Sequence, residues 1–474
     1  MQKKRLATLV AIAPIVAAGC FSGSESSETL RSITAPNAKP RAIQASVHVD
    51  RIGPARARPH ANTPRPTAEI TRPAVNPDAA IPAKYQAFAA AFESEMNELG
   101  APGASVALLE HGRVTFARGF GVKGPNSTEP VDARTLFRYG SMNKALTATA
   151  LLQLADEGKA PLEATVSSLI PHVGLTGANA ERVTLKDILS QQSELFDFTN
   201  YNVDPALSGF QCPAGPASLN QFVTGNLFKS SEFSMGPPES LWLYSNPNYV
   251  LAGAALETAT GAYYAEAMKQ RVFAPLGMTR TFFDPSQAIA DGDFTNGLSA
   301  NPDGSPWDVA PDAYDCVWLR PAGLGFTSVL DYAKFVEFLA HGNPRVLSDE
   351  RRRAMQSPIE QTYSYGKNDS YGYGLVVKGG QRVIPQGFYH SKEVFHDGGI
   401  PGFATEFYFF PETGFGFIAF ANADNAYFYT SLLTALESFS GLTASSTTPP
   451  NLDFDAGTFP GYAGTYEDQS GILG

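Results

Sequence analysis

Apolar residues recur at helical spacing from Ala83 to Leu99, and Gly100 ends the pattern, which predicts an amphipathic helix. Two strand-length runs follow, Ala104–Leu109 and Val114–Phe120, with a turn at His111-Gly112 between them. The run Ala145–Ala155 is apolar and alanine-rich and reads as a second helix, opened by Ser141-Met142-Asn143-Lys144. Residues 160–390 read mostly as helices and long loops rich in Gly, Pro and Asn. Strand patterns return at Ala404–Phe410 and Phe415–Ala421, a hairpin across Pro411-Glu412-Thr413-Gly414, and a helix over about Ala426–Phe439 follows. Strands at both ends with helices between predict an α+β fold. One antiparallel sheet is built from both termini, flanked by N- and C-terminal helices, with a helical insertion domain beside it. The expected globular domain covers 81–445, with 81–140 and 395–445 as its α/β part and 141–394 mainly helical. No internal repeat is visible.

The flanks follow other rules. Lys3-Lys4-Arg5 is a basic start, Leu6–Val16 is an apolar run too short to span a bilayer, and Ala17-Ala18-Gly19 precedes Cys20. Residues 1–19 therefore resemble a bacterial lipoprotein signal, with Cys20 as the lipidated first residue of the mature chain. That implies an exported protein anchored in the bacterial cell envelope. Residues 20–80 are rich in Pro, Ser and Ala and lack apolar periodicity, so they are expected to be a disordered tether. The first 20 residues carry +3 and residues 21–76 carry +4, so the total of −11 leaves −18 on residues 77–474. An acidic globular part argues against nucleic acid as a partner. Residues 446–474 form a tail in which Tyr462-Ala463-Gly464-Thr465-Tyr466 resembles the first strand of a small β-barrel. A hydrophobic content of 43% with 17% charged residues fits a domain with a substantial core. Three cysteines exclude a disulfide-rich scaffold; Cys212 and Cys316 remain as a possible disulfide in an exported protein.

The chemistry centres on Ser141 and Lys144. A serine at a helix start lies close to free backbone N–H groups and the positive end of the dipole. Lys144 falls on the same face one turn later, within reach of the serine oxygen. A serine hydroxyl becomes a useful nucleophile beside a group that takes its proton, and a lysine shifted by burial can do so. This is the Ser-x-x-Lys arrangement. Two further motifs follow in order: Tyr244-Ser245-Asn246, ahead of a helical run, and His396-Asp397-Gly398-Gly399, ahead of strands.

The order Ser-x-x-Lys, Tyr-x-Asn, then Lys/His-x-Gly resembles the serine β-lactamase and penicillin-binding-protein superfamily. The resemblance is strongest to the branch holding class C β-lactamases, D-alanyl-D-alanine carboxypeptidases and related esterases. It extends from about Ala83 to about Phe439, and includes Pro275-Leu276-Gly277-Met278 and Pro321-Ala322-Gly323-Leu324. It implies that Ser141 attacks a carbonyl, that Lys144 and Tyr244 share the proton work, and that Asn246 orients Lys144 and meets the substrate. A phenol with a pKa near 10 serves as a base only if cations lower it, and Lys144 is the nearest candidate. The backbone N–H groups of Ser141 and Gly399 are implied as the oxyanion hole. Gly398 and Gly399 leave room for substrate along the strand. Two departures stand out. Asp397 replaces a family threonine that meets a substrate carboxylate. Gln191-Gln192-Ser193-Glu194-Leu195 replaces His-Thr-Ser-Gly-Leu, so Glu194 takes a position suited to positive φ.

Rival chemistry is weak. There is no Gly-x-Ser-x-Gly elbow, and His390, Glu393 and His396 have poor spacing for zinc, so no metal and no cofactor are expected. The leading reading is a serine hydrolase acting on an ester or a D-amino-acid peptide or amide bond. Its substrate is then a small ester or a peptidoglycan-type peptide. A class C-like β-lactamase is the alternative, and a non-catalytic peptidoglycan-binding envelope lipoprotein is an alternative of another class.

Overall fold

The computed structural model describes residues 80–443, apart from 176–180, 196, 198–214, 216–217, 225–235, 302–303, 314, 363–368, 379–381, 385–386 and 390. The expected signal and lipidation site, the tether apart from its last residue, and the whole of the expected tail lie outside the described residues.

The framework is an eight-stranded antiparallel sheet. Its strands are β1 (Gly103–Glu110), β2 (Arg113–Gly121), β3 (Glu360–Gln361), β4 (Asp369–Tyr371), β5 (Val376–Lys378), β6 (Glu393–Ile400), β7 (Phe403–Phe410) and β8 (Phe415–Ala421). Their spatial order is β2-β1-β8-β7-β6-β5-β4-β3. The N-terminal hairpin joins the C-terminal strands through β1 and β8, where Val106 faces Ala419. The sheet is thus built from both termini, as the sequence predicts. One expectation needs correcting. Residues 360–378 lie within the stretch read as helices and loops, yet they extend the sheet by three strands. Each is only two or three residues long, too short to show period-two alternation.

Two apolar layers cover the sheet. β1 feeds both, with Ala104, Val106 and Leu108 in one and Ala107 and Leu109 in the other. That explains why it reads as an unbroken apolar run. The first layer holds the terminal helices α1 (Gln86–Glu98) and α5 (Tyr429–Phe439). Phe88, Phe92 and Met96, spaced four apart, form the buried stripe of α1. Phe92 is fully buried, and its ring stacks on Phe428 at 4.1 Å. Phe92→Ala should destabilise the fold by about 3–5 kcal/mol, the usual cost of emptying such a site. Denaturant unfolding checks this. α5 begins at Tyr429, a little later than expected, and the Phe428 N–H just before it donates to Glu406 Oε1 at 2.6 Å.

The second layer holds α2 (Asn143–Asp156), α3 (Asn246–Thr260) and α4 (Val329–His341). α2 runs through its centre, with every residue from Asn143 to Leu154 buried. α4 packs directly on β1, β2 and β8. The tyrosine-asparagine motif enters from the start of α3.

Candidate active site

β6 pairs with β7 from Val394 to Ile400, but with β5 only through Glu393–Phe395. The other edge of residues 396–400 is therefore open. A single 3₁₀ turn, Gly140–Met142, packs against this stretch just before α2. The contact is backbone on backbone. Gly140 has φ +50°, and a Cβ there would lie 3.0 Å from Gly398 Cα and 3.1 Å from Gly399 N. A Cβ on Gly398 would collide with the carbonyl oxygen of Tyr139 and sit 3.0 Å from Ser141 N. Only glycine permits this approach. It brings the backbone nitrogens of Ser141 and Gly399 to one place.

Lys144 is fully buried beneath the turn. Its ammonium donates to Ser141 Oγ at 2.9 Å, Asn246 Oδ1 at 2.7 Å and the Ala322 carbonyl at 2.8 Å. Burial lowers its pKa to about 7, although Asp197 and Asp397 pull the other way. Two of the three partners can only accept. A neutral Lys144 therefore keeps its two N–H bonds on Asn246 and Ala322, and its lone pair faces Ser141 Oγ. The Asn246 amide is fixed in turn. Its Nδ2 donates to Asp197 Oδ2 at 3.1 Å, and a carboxylate accepts only, so Oδ1 must face the lysine.

Tyr244 lies over the same ammonium, with Lys144 Nζ 4.8 Å from its ring centre. His396 lies beyond it, ring to ring at 6.3 Å. His396 is buried, and its Nδ1 lies 2.6 Å from the Asp397 carbonyl, which only accepts, so Nδ1 carries the proton. Nε2 is left to accept from the Tyr371 hydroxyl at 3.1 Å. Burial and then the Lys144 charge push the His396 pKa down to about 3. The histidine at the lysine position of β-lactamases is therefore neutral. Asp397 keeps 37% of its side chain exposed, and its partly enclosed setting raises its carboxyl to about 6.

The altered loop 191–195 clamps the tyrosine segment from below. Gln191 and Glu194 both have positive φ, +62° and +60°. This is the conformation a glycine would suit at 194. Glu194 has a compensating bond that glycine lacks, accepting the Leu241 N–H at 2.6 Å. Gln191 Oε1 accepts from the Ser245 N–H at 3.0 Å and from Asn248 Nδ2 at 2.6 Å, on both sides of Asn246. The Gln191 carbonyl also takes the Leu243 N–H. Gln191→Ala leaves two buried donors unpaired. We expect a stability loss of about 1–3 kcal/mol and a fall in kcat, as Tyr244 and Asn246 lose their setting. Thermal unfolding and turnover, measured together, test this.

The family profile described as Beta-lactamase matches residues 88–435. The chain belongs to the β-lactamase family. Within it, the chain is 27% identical over 354 residues to an unguisins hydrolase of Aspergillus campestris, covering 71% of this chain and 61% of that protein. It is 24% identical over 338 residues to protein flp of Staphylococcus aureus, covering 71% and 62%. The chain thus spans about three fifths of the length of these curated relatives. Among solved structures it resembles the octameric penicillin-binding protein homologue of Pyrococcus abyssi, with a TM-score of 0.63, 23% identity and 74% and 76% of the two chains covered. It also resembles the D-amino acid amidase of Ochrobactrum anthropi, with a TM-score of 0.60, 23% identity and 74% and 98% covered. These likenesses extend to the fold.

In this β-lactamase-family chain, Ser141, Lys144, Tyr244, Asn246, His396, Gly398 and Gly399 fall in one connected cluster, with Asp397 on the strand beside it. Four contributors to the site were given no role by the sequence reading. Asp197, the Ala322 carbonyl and Tyr371 act through contacts between distant segments, and Gln191 lies where the family pattern has histidine. Cys316 is disulfide-bonded. Cys212 and Cys20 lie outside the described residues. Among the described residues, no group of three His, Cys, Asp or Glu side chains is placed to hold a metal ion. No described helix is long and apolar enough to cross a membrane.

Proposed function

We propose that this protein is a serine hydrolase that works through an acyl-enzyme on ester bonds or D-amino-acid peptide and amide bonds. The observation that carries this is the Lys144 site, whose two obligate acceptors turn the lysine lone pair toward Ser141 Oγ. Neutral Lys144 takes the Ser141 proton as Oγ bonds to the substrate carbonyl carbon. The carbonyl oxygen gains the negative charge, next to the N–H groups of Ser141 and Gly399. Collapse breaks the bond to the leaving group, which departs with a proton delivered by Lys144 through Tyr244. A water molecule then attacks the acyl-enzyme, giving its proton to the same base, and releases the acid and free Ser141. The D-amino acid amidase among the fold neighbours fits an amide-type substrate, and the unguisins hydrolase among the relatives fits a hydrolase.

β-Lactams fit less well. Penicillins and cephalosporins carry a carboxylate near the reacting carbonyl. Here the strand offers it a neutral His396 and an acidic Asp397 in place of a lysine and a threonine. Two like charges about 4 Å apart at an effective dielectric of 20 repel by roughly 4 kcal/mol before screening. The test is a panel of 4-nitrophenyl esters, D-alanyl amides and nitrocefin on the full chain. Turnover of esters or amides well above nitrocefin supports the reading. Efficient nitrocefin hydrolysis, with an ester-to-lactam ratio unmoved by Asp397→Thr, would replace it with a β-lactamase. A chain that turns over none of them and takes no fluorophosphonate label would be a binding protein.

The same proposal places the enzyme in a bacterial envelope, held by lipid at Cys20. Cys20→Ser is expected to move the protein from the membrane to the soluble fraction with unchanged specific activity. A wild-type protein found soluble, with a different mature N-terminus, would refute the anchor.

A further inference from the structure

The acids around this site differ in one respect. Asp197 is bonded to Asn246 at 3.1 Å and Glu194 to the Leu241 N–H at 2.6 Å. Glu406 takes the Phe428 N–H and Asp424 the Gly402 N–H, each at 2.6 Å. Asp397 has no such partner: among the described residues, no other residue donates a hydrogen bond to its carboxylate. The nearest ring nitrogen, His396 Nδ1, lies 3.9 Å from Oδ1, and its proton goes to the backbone carbonyl instead. With 37% of the side chain exposed, water meets these oxygens, and an incoming donor can replace that water without breaking a bond within the protein.

Its place in the strand says where that partner lies. Asp397 and Gly399 are two apart, so they share one face of β6 beside the open edge. The Tyr427 hydroxyl borders the same face, 3.1 Å from where a Gly399 Cβ would sit. Glu406 is directly opposite Asp397 in the β6–β7 register and is buried behind it. With His396 neutral, Lys144 is the remaining basic group of the catalytic cluster; its nitrogen is already engaged by Ser141, Asn246 and Ala322, and it works as the neutral base. The face next to Gly399 is therefore acidic, and an incoming positive charge would meet the unpaired carboxylate first.

We propose that Asp397 is a specificity-determining residue that binds a protonated amine carried by the substrate close to the scissile carbonyl. The inference rests on the hydrolase reading above and deepens it. It names cationic esters and amides, beyond merely disfavouring anionic ones.

Two arms test it on the full chain. In the first, binding is measured by calorimetry on the Ser141→Ala protein, with D-phenylalanine amide against N-acetyl-D-phenylalanine amide, at low and high salt. The charged ligand is expected to bind at least roughly tenfold tighter, with the ratio shrinking as salt rises. In the second, wild-type kcat/KM is compared for D-phenylalanine 4-nitroanilide against its N-acetyl form. Acetylthiocholine against 3,3-dimethylbutyl thioacetate places the charge on the leaving group instead. A tenfold preference in either pair says which side of the carbonyl the amine occupies. Asp397→Asn should bring the favoured ratio towards one, and Asp397→Glu should retain part of it. Ratios near one for all three pairs, or a favoured ratio unchanged in Asp397→Asn, would overturn the proposal. Preferential binding without any turnover would leave the amine subsite standing and remove the hydrolase reading.

Discussion

Ser141→Ala is expected to abolish ester and amide turnover and covalent labelling by a fluorophosphonate, with the fold unchanged. The loss in kcat should be on the order of 10⁶, as for removal of a nucleophile that acts within a unit. The side chain makes one contact of consequence, the 2.9 Å bond from Lys144. Lys144 keeps its bonds to Asn246 and Ala322 without it. The turn itself is held by the glycine contact with β6 and by Thr405 Oγ1 donating to the Tyr139 carbonyl at 3.0 Å, neither of which involves the serine side chain. Thermal unfolding should therefore change little while activity disappears. Residual turnover near the wild-type level in a contaminant-free preparation would remove Ser141 from the mechanism.

Gly398→Ala shows why the site needs more than its nucleophile. The new methyl would strike the Tyr139 carbonyl, and the backbone that presents Ser141 and Gly399 would have to part. Sequence alone marks this glycine through its motif, and the reason emerges only when two segments more than 250 residues apart meet. The same holds elsewhere. Ser141, Lys144, Tyr244 and Asn246 were legible because local spacing and chain order carry them. Glu194 was legible as a glycine replacement needing positive φ, and its φ of +60° bears that out. Its bond to Leu241 was not, because that partner lies 47 residues on. Asp197 was invisible for a similar reason. Its effect is to choose which end of the Asn246 amide faces Lys144, a decision made by a contact and not by a pattern. The short strands between 360 and 378 escaped because pairing with one another and with β6, and not intrinsic alternation, makes them strands. The neutral state of His396 likewise depends on burial and on a carbonyl acceptor one residue away.

Lys144→Ala and Tyr244→Phe are each expected to lower kcat by about 10²–10⁴, the range for loss of a general acid–base group. The two losses should not add. Lys144 Nζ lies 4.8 Å from the Tyr244 ring centre, and both serve one proton path between Ser141 and the leaving group. A double mutant no worse than the poorer single mutant is the expected result, and multiplied losses would mean separate roles. The pH profile distinguishes the form of Lys144 that matters. Its pKa is lowered to about 7 by burial, so the neutral amine predominates above that value and the ammonium below it. If the neutral amine is the base, kcat/KM should rise about tenfold per pH unit up to about 7 and then level off. If Lys144 served only as a cation that stabilises a Tyr244 phenolate, activity would decline above pH 7 as that charge is lost. The three-acceptor geometry favours the first. The lysine has one bond that can reverse direction, the one to Ser141, and only the neutral form can reverse it. A rising limb near 7 that disappears in Lys144→Ala, with residual activity rescued by added small amines, would identify the lysine as the base. An unchanged limb would assign that titration to another group.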